Sequence, residues 1–534
     1  MKRKLLTALL CGALMLTSLA GCGQGAANQS GTSAGGESAV KDELVFVNYR
    51  DIRDLNPHLY AGEMYAQSIL YDTLVSNTSE GYVGCLAEDW TISEDGRTYT
   101  FNIRDGVTFS DGTPCDANAI LANFNAILEN RERHTWLEMM NLLVGVSAPD
   151  DDTFVIEMSE PYYPMLTELA CIRPFAMISP NCMIDGSTKD GVNGYIGTGP
   201  YVLTDFVTDE YAVFERNENY WGEKPAIQKI TVKVIPDNQT RIMALENGEI
   251  DLIFGKNMLD ADAISQYVDS DKFTVGLSDP TSTRHIVLNT THDILRDKSV
   301  RQALQHATNR QAISEGIFYG LEPAADTLYS TTVPYCDVAL EPYAYDADEA
   351  ARLLDEAGWT MGSDGIRAKD GQKLALDLLY NSDSVTEKTI SEYLQSEYLK
   401  LGISLNIHGE EEQSYRDNMK AGNFDMVFNI CWGMPYDPQS SLAAMRAPVY
   451  GDYAAQQGLE DKAEIDQAIT DILTSTDETK RQELYTFVLT RLHEDAVYIP
   501  LTFETNKALY TSDLKGVHFG TDQYDVDFAS MYFA

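Results

Sequence analysis

The sequence predicts a mixed α/β protein with more than one domain, and three observations carry that expectation. Helical and extended patterns alternate along most of the chain instead of segregating into separate blocks. At 534 residues the chain is longer than a single hydrophobic core usually organises. Apolar residues make up 44% of it, enough to build globular cores, and the only biased stretch is a Gly/Ser/Ala run at 23–38.

The chain opens with Lys2, Arg3 and Lys4, followed by an apolar run from Leu5 to Leu19. That run is too short for a usual membrane span and reads as a secretory signal. Leu19-Ala-Gly-Cys22 then looks like a bacterial lipobox, in which cleavage before Cys22 frees its thiol to take a lipid. An ordinary signal peptide with a chance cysteine is the other reading. Residues 1–21 are thus expected to be a signal peptide and 22–41 a tether of flexible coil.

Further on, Glu43–Tyr49 is a strand and Met64–Leu74 a helix. Residues 84–90 lead into a hairpin ending in Thr98–Arg104, with its turn at Glu94-Asp95-Gly96. Asp116 is a good N-cap for a helix through Leu128. Ile230–Ile235 is a strand, and Gln239–Asn247 a helix stopped by Gly248. Val300–Phe318 has apolar residues at helical spacing and reads as one helix ending at Gly320. Asp346–Ala357 repeats the pattern before Gly358. Strands are expected at Ala375–Tyr380, Ser404–Ile407 and Met426–Ile430, with a helix at Val385–Leu401 between the first two.

The most informative string is Gly197-Thr-Gly-Pro-Tyr-Val-Leu, continued by Phe214-Glu-Arg-Asn-Glu-Asn-Tyr-Trp-Gly-Glu-Lys-Pro225. Gly197 and Gly199 are expected where the backbone takes angles closed to other residues, and Pro200 fixes entry into a strand. A second strand ends in a turn at Asn217, Asn219 and Gly222, with Tyr220 and Trp221 as hydrophobic anchors.

The formal charge is −43, and removal of residues 1–21 makes it −46. Such a surface argues against nucleic acid and against peripheral binding to anionic lipid. Thirty tyrosines suit a polar, aromatic-lined cleft. Of the cysteines beyond Cys22, Cys171 and Cys182 are near enough in sequence to bridge, and free buried thiols are equally compatible. There is no H-E-x-x-H, no P-loop and no EF-hand loop, and His493-Glu-Asp495 lacks a second histidine. Carboxylate pairs abound in so acidic a chain and single out no acid–base site. A non-enzyme is expected.

The string at 197–225 resembles the extracellular solute-binding proteins of the peptide and nickel importer family, which feed ABC transporters. Leu86-Ala-Glu-Asp-Trp90, Phe109-Ser-Asp-Gly-Thr-Pro114, Ala244-Leu-Glu-Asn-Gly-Glu-Ile-Asp251 and Val300-Arg-Gln-Ala-Leu304 carry the same resemblance over nearly all of the chain. It implies a two-lobed periplasmic-binding-protein-like fold with a hinge and an extra subdomain in lobe I, of the large cluster C type. Lobe I would be 42–282, lobe II 283–500, and 501–534 would complete lobe I. It also implies an extracytoplasmic monomer that binds a small solute between its lobes and delivers it to a permease and ATPase complex. With Cys22 lipidated, that monomer would be anchored to a membrane.

Within the family the match tilts to the nickel-binding branch. Leu55-Asn-Pro-His-Leu-Tyr60, Arg131-Glu-Arg-His-Thr-Trp-Leu137, Tyr162-Tyr-Pro164, Arg173-Pro-Phe175 and Trp432-Gly-Met-Pro-Tyr-Asp-Pro438 are similar to that branch. Carried over by position, Arg133, Trp136, Arg173, Trp432 and Tyr436 would line the cleft, with Met64 nearby. Arginine forks match the carboxylates of a metal chelate, and the aromatic rings would pack on its flat faces. Each has a structural alternative: surface pairing with Glu132 or Glu138 for Arg133, an ion pair for Arg173, core packing for Trp432 and Tyr436. Pro435 stands where peptide-binding relatives carry an aspartate for the peptide ammonium, which disfavours peptides. Tyr450 stands where the nickel branch has a metal-ligating histidine, and a neutral phenol is a poor nickel ligand. The resemblance therefore implies a nickel or related transition-metal chelate as cargo, with no resident cofactor. Oligopeptides, opines or another small solute are the alternative.

Overall fold

The structure is a computed structural model that describes residues 41–78, 81–256, 258–431, 438–520, 524 and 526–534. The expected signal peptide, Cys22 and the tether lie outside the described residues, as do Trp432, Pro435 and Tyr436.

Ten strands form the main sheet: β1 (Glu43–Asn48), β2 (Tyr201–Val207), β3 (Tyr211–Arg216), β4 (Lys229–Val234), β5 (Leu252–Phe254), β6 (Phe273–Leu288), β7 (Ala375–Asn381), β8 (Ser404–Glu410), β9 (Met426–Cys431) and β10 (Tyr498–Thr511). Their spatial order is β2-β3-β4-β1-β5-β10-β6-β9-β7-β8. Strands β1, β4 and β5 are mutually parallel, as are β9, β7 and β8. The outer hairpin β2–β3 and the central pair β10–β6 are antiparallel.

The sheet has two halves sharing its two longest strands. One end of β10 pairs with β5 (Leu252 opposite Tyr510), and the far end of β6 pairs with β9 (Leu288 opposite Met426). Both faces are buried in each half. In the first, Phe46, Leu252 and Ala508 enter one core while Val47, Ile253 and Leu509 enter another. In the second, Val287, Val427 and Tyr498 face one core, and Ile286, Met426 and Ile499 the opposite one. This is the period-2 alternation of strands covered on both sides.

Where the halves meet, the β6–β10 register shifts between Leu277 and Pro280, again before Ser282, and between Arg284 and His285. A buried charge network replaces apolar packing there. Glu504 accepts Lys256, Arg284 and Ser282, while Glu322 takes Lys507 at 3.2 Å and Arg284 at 3.7 Å. Neighbouring cations hold the Glu504 carboxyl well below its ordinary range despite full burial. The boundaries expected at 282/283 and 500/501 fall inside these two strands.

A separate antiparallel sheet, in the order 87–92, 98–103, 153–158, 143–147, packs on the helix Ala117–Glu129 through Phe101, Phe124 and Phe154. It is the extra subdomain of a cluster C two-lobed fold. Asp116 caps its helix, accepting from Ala119 N at 2.9 Å.

Three expectations need correction. The helix read over Val300–Phe318 is two helices, Lys298–Ala307 and Arg310–Ile317. Thr308 is extended (φ −94°, ψ 109°), and Asn309 caps the second helix by accepting from Ala312 N at 3.0 Å. The helix from Met64 stops at Leu70, because Tyr71 turns extended. Gly197 and Gly199 are not at positive φ. They are glycines because a Cβ would meet the Leu70 carbonyl oxygen at 2.0 Å and its carbonyl carbon at 2.6 Å respectively. All six described cysteines are free and buried, so Cys171 and Cys182 do not bridge.

Candidate functional site

The site residues from the first half converge on one loop, residues 56–63. Its helix, Met64–Leu70, presents half-buried Met64 at its start. Gln67, one turn on, donates to Asn56 O at 3.1 Å and accepts Arg173 Nε at 2.6 Å. Arg173 also donates to Gly62 O, and to Tyr60 O at 3.5 Å. This arginine is buried, and its guanidinium staples the loop to the segment at 172–175.

Arg133 and Trp136 arrive from the other side. A 3-10 turn, Arg131–His134, follows the helix Ala117–Glu129, and Arg131 pins it by donating to Met140 O at 2.6 Å and Leu143 O at 2.8 Å. Two residues on, Arg133 is exposed and makes no ion pair with any described residue. The alternative reading of Arg133, a surface pairing with Glu132 or Glu138, does not form among the described residues. Trp136, 44% exposed, donates its indole N–H to the Tyr60 hydroxyl at 2.7 Å. Tyr60 in turn lies 2.7 Å from His134 Nδ1.

Since an indole N–H can only donate, the Tyr60 oxygen accepts it and its own proton is available for His134 Nδ1. That leaves the proton of neutral His134 on Nε2, which is buried and has no partner among the described residues. Burial, with a smaller push from Arg133, holds the His134 imidazole down to about 4. Burial pushes the Tyr60 phenol up to about 12. The Trp136–Tyr60–His134 chain is therefore uncharged at neutral pH, and Arg133 is the exposed charged group beside it.

From the second half, Tyr450 precedes the helix Gly451–Gln456 and packs, half-buried, against the core of Val427, Met445 and Ala455. Burial raises its phenol above the ordinary value. Beside it Asp452 is buried, accepts from Asn429 at 2.7 Å, and is pushed up to about 6 by burial. Met64, Arg133, Trp136 and Arg173 thus share one locality, while Tyr450 stands on the other half of the sheet.

Two histidines serve elsewhere. His58 is buried between Thr188 Oγ1 (2.9 Å) and Ala176 O (3.3 Å), and His408 pairs with Asp377 at 3.1 Å on strand β8. Sequence reading missed Tyr60 and Gln67 as the residues that hold the site together. Tyr60 lies in a motif block that was visible; Gln67 has no signal beyond its place one turn after Met64.

A two-lobed α/β protein with shared long strands and an arginine–aromatic cluster on one lobe defines the class of extracytoplasmic solute-binding proteins. Residues 81–452 match the family model for the middle region of bacterial extracellular solute-binding proteins, family 5, and the chain belongs to that family. It is 41% identical over 496 residues to the nickel-binding periplasmic protein of Escherichia coli, covering 92% of this chain and 94% of that one. Its fold superposes with a TM-score of 0.89 on NikA from Brucella suis in complex with Fe(III)-EDTA, at 44% identity, covering 92% of this chain and 100% of that chain. The periplasmic oligopeptide-binding protein OppA of Salmonella typhimurium is 27% identical over 543 residues, covering 94% of each chain.

Proposed function

We propose that this protein captures a nickel or related transition-metal chelate between its two lobes and delivers it to the permease and ATPase of an ABC importer. The observation that carries the reading is the pairing of Arg133, exposed and without an ion-pair partner among the described residues, with Trp136 beside it. Two relatives above 40% identity support it: one is named for nickel, and the other holds iron inside an aminocarboxylate chelator. A guanidinium repels a bare divalent cation, but matches the carboxylates of a chelator wrapped around one. The indole of Trp136 would lie on the chelator's face, and Trp432, Tyr436 and Tyr450 would close from the second lobe. Arg173 acts by shaping the loop that carries Met64. The metal is cargo and not a resident cofactor, and the protein does no covalent chemistry on it. The chain would work as a monomer held at the membrane through lipid on Cys22.

Metal retention tests this. Protein from Lys41 onward, dialysed with Ni²⁺ plus excess L-histidine and then desalted, should keep about one nickel per chain by elemental analysis, and far less after dialysis with Ni²⁺ alone. Equal retention in both would point to a site made from protein ligands and would refute the chelate reading.

A further inference from the structure

Arg481, on the helix Glu478–Glu494, is fully buried and forms no ion pair with a described residue. A buried guanidinium is costly unless its donors are met, and several described groups meet this one. Its guanidinium donates to Ile472 O and reaches Gln439 Oε1 at 3.3 Å. It also donates from Nε to the Tyr335 hydroxyl at 3.4 Å, and three tyrosine rings lie around it. Tyr163 lies 3.4 Å from the guanidinium carbon, Tyr335 5.0 Å and Tyr485 5.7 Å. Two of these are native to the second half: Tyr335 and Tyr485 stack at 4.8 Å with planes 6° apart. Tyr335 holds φ at +67°, an uncommon conformation for a bulky residue and one kept only where surrounding packing over-determines it.

Tyr163 comes from the other half. It sits on the loop after the strand Thr153–Met158 of the small sheet, and it reaches across. Its backbone N–H donates to Leu473 O at 3.1 Å. Its hydroxyl donates to Glu478 at 2.7 Å and lies 3.0 Å from the Tyr335 hydroxyl, which itself donates to Glu478. Backbone, hydroxyl and ring of one residue are thus all engaged by the opposite half.

We propose that Tyr163 is a positioning residue for solute capture: it caps Arg481 as a clasp between the halves, and so sets how long the cleft stays closed without touching the solute. Opening withdraws the ring, breaks the Leu473 and Glu478 hydrogen bonds, and uncovers one face of a buried cation. A desolvated cation–π contact is among the stronger non-covalent contacts an aromatic ring makes, and here it exists only when the halves meet. A ligand's affinity follows the population of the closed state, so the clasp acts on release more than on encounter. The inference needs closure around a solute, whichever solute that is.

Small-angle scattering of the full chain from Lys41 and stopped-flow binding of nickel–histidine together test it. Tyr163→Ala should raise the ligand-free radius of gyration toward an open form. It should also speed nickel–histidine release on the order of tenfold or more, with the association rate nearly unchanged. Tyr163→Phe keeps the ring on Arg481 and should fall between the two. Glu478→Gln, a surface change that leaves the core intact, should also speed release, by a smaller factor. An unchanged radius and release rate in both Tyr163→Ala and Glu478→Gln would overturn the clasp. If the wild type binds no nickel–histidine, the chelate reading fails, and the scattering comparison alone still decides the clasp.

Discussion

The indole N–H of Trp136 donates to the phenol oxygen of Tyr60 at 2.7 Å, and that phenol also reaches the buried Nδ1 of His134. A surface tryptophan is thereby fixed in direction by a residue 76 positions earlier in the chain. Such fixing is what a binding face requires, because an indole free to rotate would lose entropy on each encounter.

Removing the hydroxyl should therefore loosen the face without removing it. Tyr60→Phe leaves the Trp136 donor and His134 Nδ1 without their shared partner, which is worth about 1 kcal/mol, or roughly fivefold in affinity for nickel–histidine. Titration by tryptophan fluorescence measures it; equal affinity in the variant would mean that the orientation of Trp136 does not matter.

The two arginines should separate binding from stability. Arg133 is exposed, so Arg133→Ala should weaken chelate binding by roughly 1.5–3 kcal/mol, about ten- to a hundredfold, at an unchanged melting temperature. Arg173 is buried against Gln67 and Gly62 O. Arg173→Ala should therefore also destabilise the fold, by about 1–3 kcal/mol for the unmatched acceptors. Calorimetry of binding and of unfolding on both variants checks the contrast. Identical profiles for the two would contradict the division of roles.

Tyr450 should not coordinate the metal. Burial raises its phenol, so at neutral pH it offers no phenolate. The visible absorption of bound nickel–histidine should be the same in Tyr450→Phe as in the parent. A shifted spectrum would show a direct bond.

Acid should destabilise the protein through its buried imidazoles. His58 is held down to about 3, and His134 and His285 to about 4, each chiefly by burial. In the unfolded chain they titrate near ~6.5. Between those values the unfolded chain binds protons that the folded one refuses, so stability falls as pH drops below about 6.5. The limiting slope is about 1.4 kcal/mol per pH unit for each imidazole. Glu168, pushed up to about 8, and Asp452, pushed up to about 6, act oppositely from those values down to about pH 4, and together they offset two of the three. Urea unfolding from pH 7 to 5 reads the slope, and His134→Gln should reduce it by close to one proton.

Much of the fold was legible because local chemistry and tertiary structure agree. Asp116 caps the helix it was expected to cap, the helix expected at 346–357 forms over Ala347–Glu356 with Asp346 as its cap, and Gly248, Gly320 and Gly358 adopt positive φ beyond the helix ends. Where signals competed, the reading slipped. Apolar spacing runs through Thr308, yet the Asn309 side chain restarts the helix there. The long strands β6 and β10 went unread as strands because Pro280, Arg284, Glu504 and Lys507 interrupt their alternation. Arg284, Glu504 and Lys507 belong to the buried network where the halves meet, which no local pattern encodes. The site divides in the same way. Arg133 and Trp136 lie three residues apart in a visible motif. The contacts of Arg173 with Gln67 and of Tyr163 with Arg481 join residues 106 and 318 positions apart, and only the fold brings them together.

One titration bears most directly on the central claim. The protein from Lys41 onward is titrated by calorimetry with Ni²⁺ alone, with Ni²⁺ in excess L-histidine, and with a pool of di- to pentapeptides. Tight one-to-one binding of nickel–histidine, with little heat from the other two, is the predicted result. Saturable binding of peptides with none of the chelate would contradict the account and assign the cleft to peptides.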